Sequence, residues 1–192
     1  MTPGLHVVLL AAGSSSRFGS PKQLAEVDGQ PMLVRAVLTL LELDNRAPIT
    51  VVLGANVDRL RPLLVHPAVN VVVNPAHEQG MAGSILAGVS AAPADARGVL
   101  IALVDQVAVT ADDLRRLVKC WQQQPERIVA ARYADLAGAP AIFPRGFFAQ
   151  LAALQGDQGA RALLARHADQ VVGVPMPSAA LDVDTPADLN RT

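Results

Sequence analysis

The chain has 192 residues, of which 51% are hydrophobic, and it carries a formal net charge of −1. This composition favours a folded protein with a sizeable core, which we expect to be one domain over residues 1–192. The balanced charge gives no reason to expect binding to nucleic acid or to an anionic membrane. The single cysteine, Cys120, excludes an intramolecular disulfide and a cysteine-rich metal site. No apolar run approaches the length of a transmembrane helix, so we expect a cytoplasmic protein.

The stretch VVLLAAGSSSRFGSPKQL, which begins at Val7, is the most informative part of the chain. Its first four residues are typical of a buried strand, and small residues follow. Small residues leave backbone N–H groups uncovered, and such groups can bind phosphate oxygens. Arg17 and Lys22 are spaced to bracket a bound phosphate. The stretch matches neither of the two common phosphate-binding glycine motifs. A secretory signal is disfavoured because no Lys or Arg precedes the short apolar run.

Downstream, short apolar runs alternate with segments of helical periodicity. The predicted strands are residues 49–53, 69–73, 98–104, 128–131, 139–143, 171–174 and 181–183. The predicted helices are residues 31–41, a short one from 56 or 58, 78–89, one after the Thr110/Asp113 capping box, 147–154, 160–167 and a short one after 184–186. This order predicts a three-layer α/β fold with a mostly parallel sheet. The region around residue 138 breaks the alternation and predicts a small antiparallel addition.

Asp105 directly follows the apolar run of the predicted strand 98–104. In an open α/β sheet, ligands bind outside the carboxyl ends of the strands. The loop after the first strand and Asp105 leave the same edge, so we expect them to meet around one ligand. A carboxylate in this place is suited to hold a divalent cation, although it could also cap the loop.

The segment LAAGSSSRFGSPKQL resembles the signature L-A-A-G-x-S-x-R-[MF]-G-x-x-K of the molybdenum cofactor nucleotidyltransferase family, and within it the molybdopterin cytidylyltransferase branch. Gly13, Arg17, Gly19 and Lys22 fall in register with it. The resemblance implies a Rossmann-like nucleotidyltransferase, an enzyme in which Arg17, Lys22 and Asp105 are the catalytic residues.

The resemblance also implies where a nucleotide binds. The segment EQGMAGS is similar to the family's second nucleotide segment, in which Gly80 would let the chain pass close to the base and Ser84 would bond to base or ribose. Alanine at position 12 would narrow the base site toward a pyrimidine, so CTP is the expected donor. The predicted nucleotide-binding residues are Leu10, Ala11, Ala12, Gly13, Ser14, Arg17, Lys22, Gly80 and Ser84.

Further segments resemble the family's metal and acceptor sites. LDVDTPADL is similar to D-[IV]-D-T-P-x-D-L, which implies that Asp184 joins Asp105 in binding Mg²⁺. Asp182 alternates with Asp184 in the predicted strand and is expected to face away. Two segments similar to G-x-P and G-D-x-G-A-R imply a molybdopterin-type cofactor as acceptor. The predicted acceptor-binding residues are Gly138, Pro140, Gly156, Asp157 and Gly159.

The sequence departs from the family next to Asp105. Valines stand at positions 104 and 107, where the family pattern [GA]-D-[QM]-P has a small residue and a proline. Two alternative functions stay open at this point. One is a sugar-phosphate or polyol-phosphate nucleotidyltransferase of the same fold. The other is a non-catalytic carrier or chaperone that hands the molybdenum cofactor to a client molybdoenzyme.

Overall fold

The computed structural model describes residues 4–43 and 48–191. Its strands, in chain order, are β1 (Leu5–Ala11), β2 (Glu26–Val27), β3 (Gln30–Pro31), β4 (Ile49–Leu53), β5 (Val69–Val73), β6 (Gly98–Leu103), β7 (Ile128–Tyr133), β8 (Leu136–Pro144) and β9 (Val171–Pro175). Seven of them form one sheet in the order β5-β4-β1-β6-β8-β7-β9, and β2 pairs with β3 in a separate hairpin. The first four strands in this order, β5, β4, β1 and β6, pair in parallel, and so do β7 and β9. Strand β8 is antiparallel to both of its neighbours, β6 and β7.

Helices connect these strands and cover the sheet. They are α1 (Met32–Leu41), α2 (Val57–Leu60), α3 (Met81–Ser90), α4 (Ala111–Gln123), α5 (Phe148–Ala152) and α6 (Ala160–Arg166). Short 3₁₀ turns fill several connections, including Lys22–Leu24, His77–Gln79, Pro177–Ala180 and Pro186–Arg191. Among the described residues, no helix is long and apolar enough to cross a membrane.

The core consists of two clusters of buried side chains, one on each face of the sheet. One cluster packs the inner faces of α1 and α4, and the other packs those of α3, α5 and α6. The residues of β1 alternate between them, because successive strand side chains point to opposite faces. Leu9 belongs to the first cluster, whereas Leu10 belongs to the second. Helices therefore lie on both faces, as the sequence predicts.

The structure confirms most predicted elements. Strands β4 and β5 have the predicted bounds, and β8 supplies the predicted antiparallel addition. The capping box at the start of α4 is formed by Thr110 and Asp113. The strand predicted at residues 181–183 is wrong. That segment contains no strand, and the Val183 N–H instead donates to the Asp105 carbonyl at 3.0 Å.

His6 is a buried polar residue within β1. Its side chain is 2% exposed, and neither ring nitrogen has a hydrogen-bond partner among the described residues. Burial lowers the pKa of His6 from its ordinary value of 6.5 to about 4. Below pH 6.5 the imidazole is therefore protonated in the unfolded state but still neutral in the folded state, which favours unfolding.

We expect this histidine to make the fold acid-sensitive. The unfolded state binds more protons between pH 6.5 and about 4, so the stability of the folded state falls as the pH falls through that window. Between pH 7.5 and pH 5.0 the loss from His6 alone is about 2 kcal/mol. Urea unfolding of the wild type and of His6→Leu at both pH values measures it. The difference in unfolding free energy between the two proteins should shift by that amount, and an unchanged difference would contradict the assignment.

Candidate active site

The loop after β1 presents a row of free backbone donors. The N–H groups of residues 13–17 donate to no acceptor in the described part of the chain. Gly13 is exposed, and a Cβ added there would meet no described heavy atom within 4 Å. Ser15 adopts a left-handed conformation with φ of 59°, and its carbonyl accepts from the N–H groups of Phe18 and Gly19. Consecutive backbone N–H groups without acceptors can together bind an anion.

Gln23 supports this loop from beneath, and sequence reasoning missed it. Its side chain is fully buried in the 3₁₀ turn Lys22–Leu24. The amide nitrogen donates to the carbonyls of Ala11 and Gly13, at 3.1 and 2.9 Å. The only signal in the sequence was a polar residue next to Lys22, with no apolar pattern to show that it is buried.

Lys22 joins three distant parts of the chain. Its ammonium donates to Asp105 Oδ2 at 2.7 Å, to Asp184 Oδ1 at 3.1 Å and to the Val183 carbonyl at 3.1 Å. These contacts use all three ammonium donors. Burial acts to lower the pKa of Lys22, but the negative charge of Asp105 and hydrogen bonds to Asp105 and Asp184 outweigh it, so the pKa is raised. The ammonium therefore stays charged at neutral pH.

Two further charged side chains lie beside this cluster. Arg17 is 73% exposed and pairs with Asp184 Oδ2 at 3.0 Å. Burial, together with the negative charges of Asp105 and Asp184, raises the pKa of Asp182. Asp182 thus lies within the electrostatic field of the cluster. The expectation that it faces away from the site was wrong in its premise, because residues two apart in a strand share a face and residues 181–183 form no strand.

The side chains of this cluster could supply only some of the ligands that a divalent cation needs. No group of three or more His, Cys, Asp or Glu side chains suited to a metal occurs within residues 4–43 and 48–191. Asp105 Oδ1, however, is buried and finds no hydrogen-bond partner among the described residues. An unpaired, buried carboxylate oxygen is a suitable ligand for a hard cation, whose other ligands a substrate phosphate can supply.

The valines that flank this carboxylate do not remove it from the site. Val104 and Val107 are buried and pack in the first core cluster. Asp105 remains directed at Lys22.

Several residues predicted to bind nucleotide are buried in the protein interior. Leu10 and Ala11 are buried, and their carbonyls accept from the Val104 N–H and from Gln23. Ala12 is 6% exposed, and its methyl group packs in the second core cluster. This position corrects the expectation that the methyl group narrows the base site.

The second predicted nucleotide segment needs the same correction. Ser84 is buried, and its hydroxyl accepts from the Asn74 side chain at 3.0 Å. A contact between Ser84 and a base or ribose is therefore not supported. Gly80 has a φ of 108°, and the space left by its missing side chain is filled by the backbone of Gly156 and Asp157. Gly80 thus permits close contact between two protein segments.

The predicted acceptor residues divide into two groups. Gly138 and Pro140 are buried; Gly138 lies beneath the hydroxyl of Tyr133, and Pro140 lines a cavity with Gln106 and Val107. Gly156 and Asp157 are exposed in the turn before α6, and Gly159 is half-buried against Met81. This second group meets the start of α3, where the Ala82 N–H donates to the Gly156 carbonyl at 3.1 Å.

Gln106 explains the placement of the buried group. It is 6% exposed, and its amide nitrogen donates to the carbonyls of Ala139 and Ala179 at 3.0 and 2.9 Å. The segment around Pro140 therefore anchors the residue next to Asp105.

The contact between Gly80 and Gly156 gives a direct structural prediction. Gly80→Ala should lower the unfolding free energy by about 2 kcal/mol or more, because a Cβ would be strained at this φ and would overlap the Gly156 backbone. The expected fall in melting temperature is at least about 4 °C. Gly146→Ala is the matched control, since no described atom lies within 4 Å of its added Cβ. Equal melting temperatures for the two variants would contradict the close packing.

Comparison with known proteins places this geometry in a family. Residues 7–171 match the model of the MobA-like NTP transferase domain. A relative named nicotine blue oxidoreductase, from Paenarthrobacter nicotinovorans, is 33% identical over 84% of this chain and 82% of its own length. A relative named probable molybdenum cofactor guanylyltransferase, from Rhodopirellula baltica, is 29% identical over 97% of this chain and 90% of its own length.

Solved structures agree with this match. The crystal structure of Rv0371c from Mycobacterium tuberculosis is 30% identical, with a TM-score of 0.79 over 98% of this chain and 96% of that one. A structure of Rv0371c in complex with manganese is 27% identical, with a TM-score of 0.76 over the same shares of both chains. The family model covers residues 7–171, and the solved structures share the fold over 98% of the chain. The chain therefore belongs to the MobA-like NTP transferase family.

Proposed function

We propose that this protein is a Mg²⁺-dependent nucleotidyltransferase that transfers CMP from CTP to a molybdopterin-type cofactor in the cytoplasm. The observation that carries the proposal is the position of the Lys22 ammonium, within 3.1 Å of both Asp105 and Asp184. Lys22 follows a loop whose N–H groups, at residues 13–17, donate to no acceptor among the described residues. An anion cradle next to a lysine and two carboxylates is suited to phosphoryl chemistry.

The proposed reaction exchanges one P–O bond for another. An oxygen of the acceptor's terminal phosphate attacks the α-phosphorus of CTP, and the bond to the β-phosphate breaks. Pyrophosphate leaves with the electron pair of that bond. The free N–H groups and Arg17 hold the β- and γ-phosphates, and the Lys22 ammonium stabilises negative charge at the α-phosphate. Positioning and charge neutralisation of this kind need no protein nucleophile.

Asp105 and Asp184 are the proposed ligands of Mg²⁺. The unpaired Oδ1 of Asp105 supports this assignment, as does the manganese named for the Mycobacterium tuberculosis structure. When bound, the cation would withdraw charge from phosphate oxygens. Lys22 balances the same two carboxylates, so lysine and cation would share them.

CTP is proposed as the donor because LAAG, residues 10–13, resembles the cytidylyl branch. The relative named as a guanylyltransferase makes GTP the competing donor. The buried Ala12 methyl group gives no steric reason for either base, so the choice rests on backbone groups and exposed side chains at the rim. The exposed Gly156, Asp157 and the adjoining Gly159 are the proposed acceptor contacts, and the product would pass to a client molybdoenzyme.

A competition assay tests the donor. Equal CTP and GTP are incubated with Mg²⁺, purified molybdopterin cofactor and the enzyme, and the nucleotide attached to the product is identified. We expect kcat/KM to favour CTP by at least about tenfold. Equal use of GTP would overturn the donor while leaving nucleotidyl transfer in place. Product formation only with a sugar phosphate or polyol phosphate would replace the acceptor.

Lys22→Ala supplies the internal control for the chemistry. Loss of a charge placed at the reacting phosphate should lower kcat/KM by about 10²-fold or more. Lys119→Ala removes the same charge from an exposed position on α4 and should leave the rate unchanged. A wild-type rate in Lys22→Ala would remove Lys22 from the active site. Absence of pyrophosphate release by the wild type with either triphosphate would favour a carrier or the oxidoreductase class named for one relative.

A further inference from the structure

We propose that Gln23 is a positioning residue that sets the phosphate affinity of the loop after β1. The inference rests on the proposed function, because it assumes that this loop binds the triphosphate. Gln23 itself contacts no substrate. It is fully buried beneath the loop, one residue after Lys22.

Gln23 fixes the direction of the peptide group between Gly13 and Ser14. The C=O of Gly13 points inward to the Gln23 amide nitrogen, at 2.9 Å. In a planar trans peptide, the C=O of one residue and the N–H of the next point in opposite directions. The N–H of Ser14 is therefore held outward, on the exposed side of the loop. The bond from Gln23 thus orients a donor that an anion can use.

Gln23 also contacts the loop at Ser15. Ser15 Oγ donates to Gln23 Oε1 at 3.2 Å and accepts from the Lys22 N–H at 3.1 Å. The Ser15 backbone is left-handed, a conformation that a non-glycine residue keeps only where its surroundings enforce it. The Gln23 side chain therefore contacts the end of β1 and the loop directly, and the backbone of Lys22 through the Ser15 hydroxyl.

No side chain of similar length can make all the hydrogen bonds of this carboxamide. Its nitrogen donates to two carbonyls while its oxygen accepts from a hydroxyl. Methionine has a similar length and offers no donor. Glutamate offers two acceptors, and when ionised it would face the carbonyls of Ala11 and Gly13 with a negative charge. Protonated glutamate can restore one of the two donor bonds.

Inorganic tripolyphosphate is the probe, because it carries the phosphate chain without base, sugar or acceptor. Its affinity is measured by calorimetry for the folded wild type, Gln23→Met and Gln23→Glu. Both variants should bind at least about tenfold more weakly, because buried carbonyls left without partners will rearrange the loop. KM for the triphosphate should rise more than kcat falls. Gln23→Glu should recover part of its affinity, relative to wild type, as the pH is lowered, and Gln23→Met should not.

Leu151→Ala is the control for lost stability alone. Leu151 is fully buried in α5, within the second core cluster. It should lower the melting temperature while leaving tripolyphosphate affinity unchanged. If Gln23→Met does not fold, Ser15→Ala decides the question, since it cuts only the link between Gln23 Oε1 and the Lys22 backbone. A weaker affinity in that variant supports the proposal.

Two results would count against it. Unchanged tripolyphosphate affinity in the folded Gln23 variants, or in Ser15→Ala where those do not fold, would overturn the positioning role and leave the proposed function intact. Absence of tripolyphosphate binding by the wild type, with no nucleotidyl transfer, would instead overturn the proposed function and this inference with it.

Discussion

The Lys22 ammonium holds together the end of the sheet on which the site is built. Its partners Asp105 and Asp184 lie 83 and 162 residues away along the chain. Asp105 and Asp184 both contact this ammonium, and the Asp105 side chain is largely buried. Without the positive charge of Lys22, the two carboxylates would repel each other. The contact links the residue after strand β6, the loop before Lys22 and the segment around Val183. The proposed active site and the contact between the C-terminal segment and the sheet therefore share the same residues.

Local patterns in the sequence were sufficient for most of the fold. Strands β4 and β5 are short runs of mostly β-branched apolar residues, with one polar residue in each, Thr50 and Asn70. The Thr110/Asp113 pair marks the start of α4 through its own hydrogen bonds. The same is true of the charged cluster. Lys22 and Asp105 each follow a predicted strand at the same edge of a parallel sheet, so topology alone brings them near each other.

What the sequence could not supply depends on contacts between distant segments. Residues 181–183 alternate between apolar and polar, as a strand does. In the structure, however, the backbone of Val183 bonds to the Asp105 carbonyl and to the Lys22 ammonium instead of joining the sheet. The role of Gly80 depends on the turn at Gly156, which no local pattern links to it. Ala12 differs, because extending the alternation of β1 by one residue past its end would have placed its methyl group in the core.

We propose that Asp105 and Asp184, which both contact Lys22, act as one unit in nucleotidyl transfer. A double-mutant cycle tests it most directly: kcat/KM with Mg²⁺, CTP and purified cofactor is measured for Asp105→Asn, Asp184→Asn and the double variant. Residues that act together are not additive, so the double variant should be little slower than the slower single variant. If the two losses instead multiply independently, the carboxylates do not serve one shared cation and the account of the site is wrong.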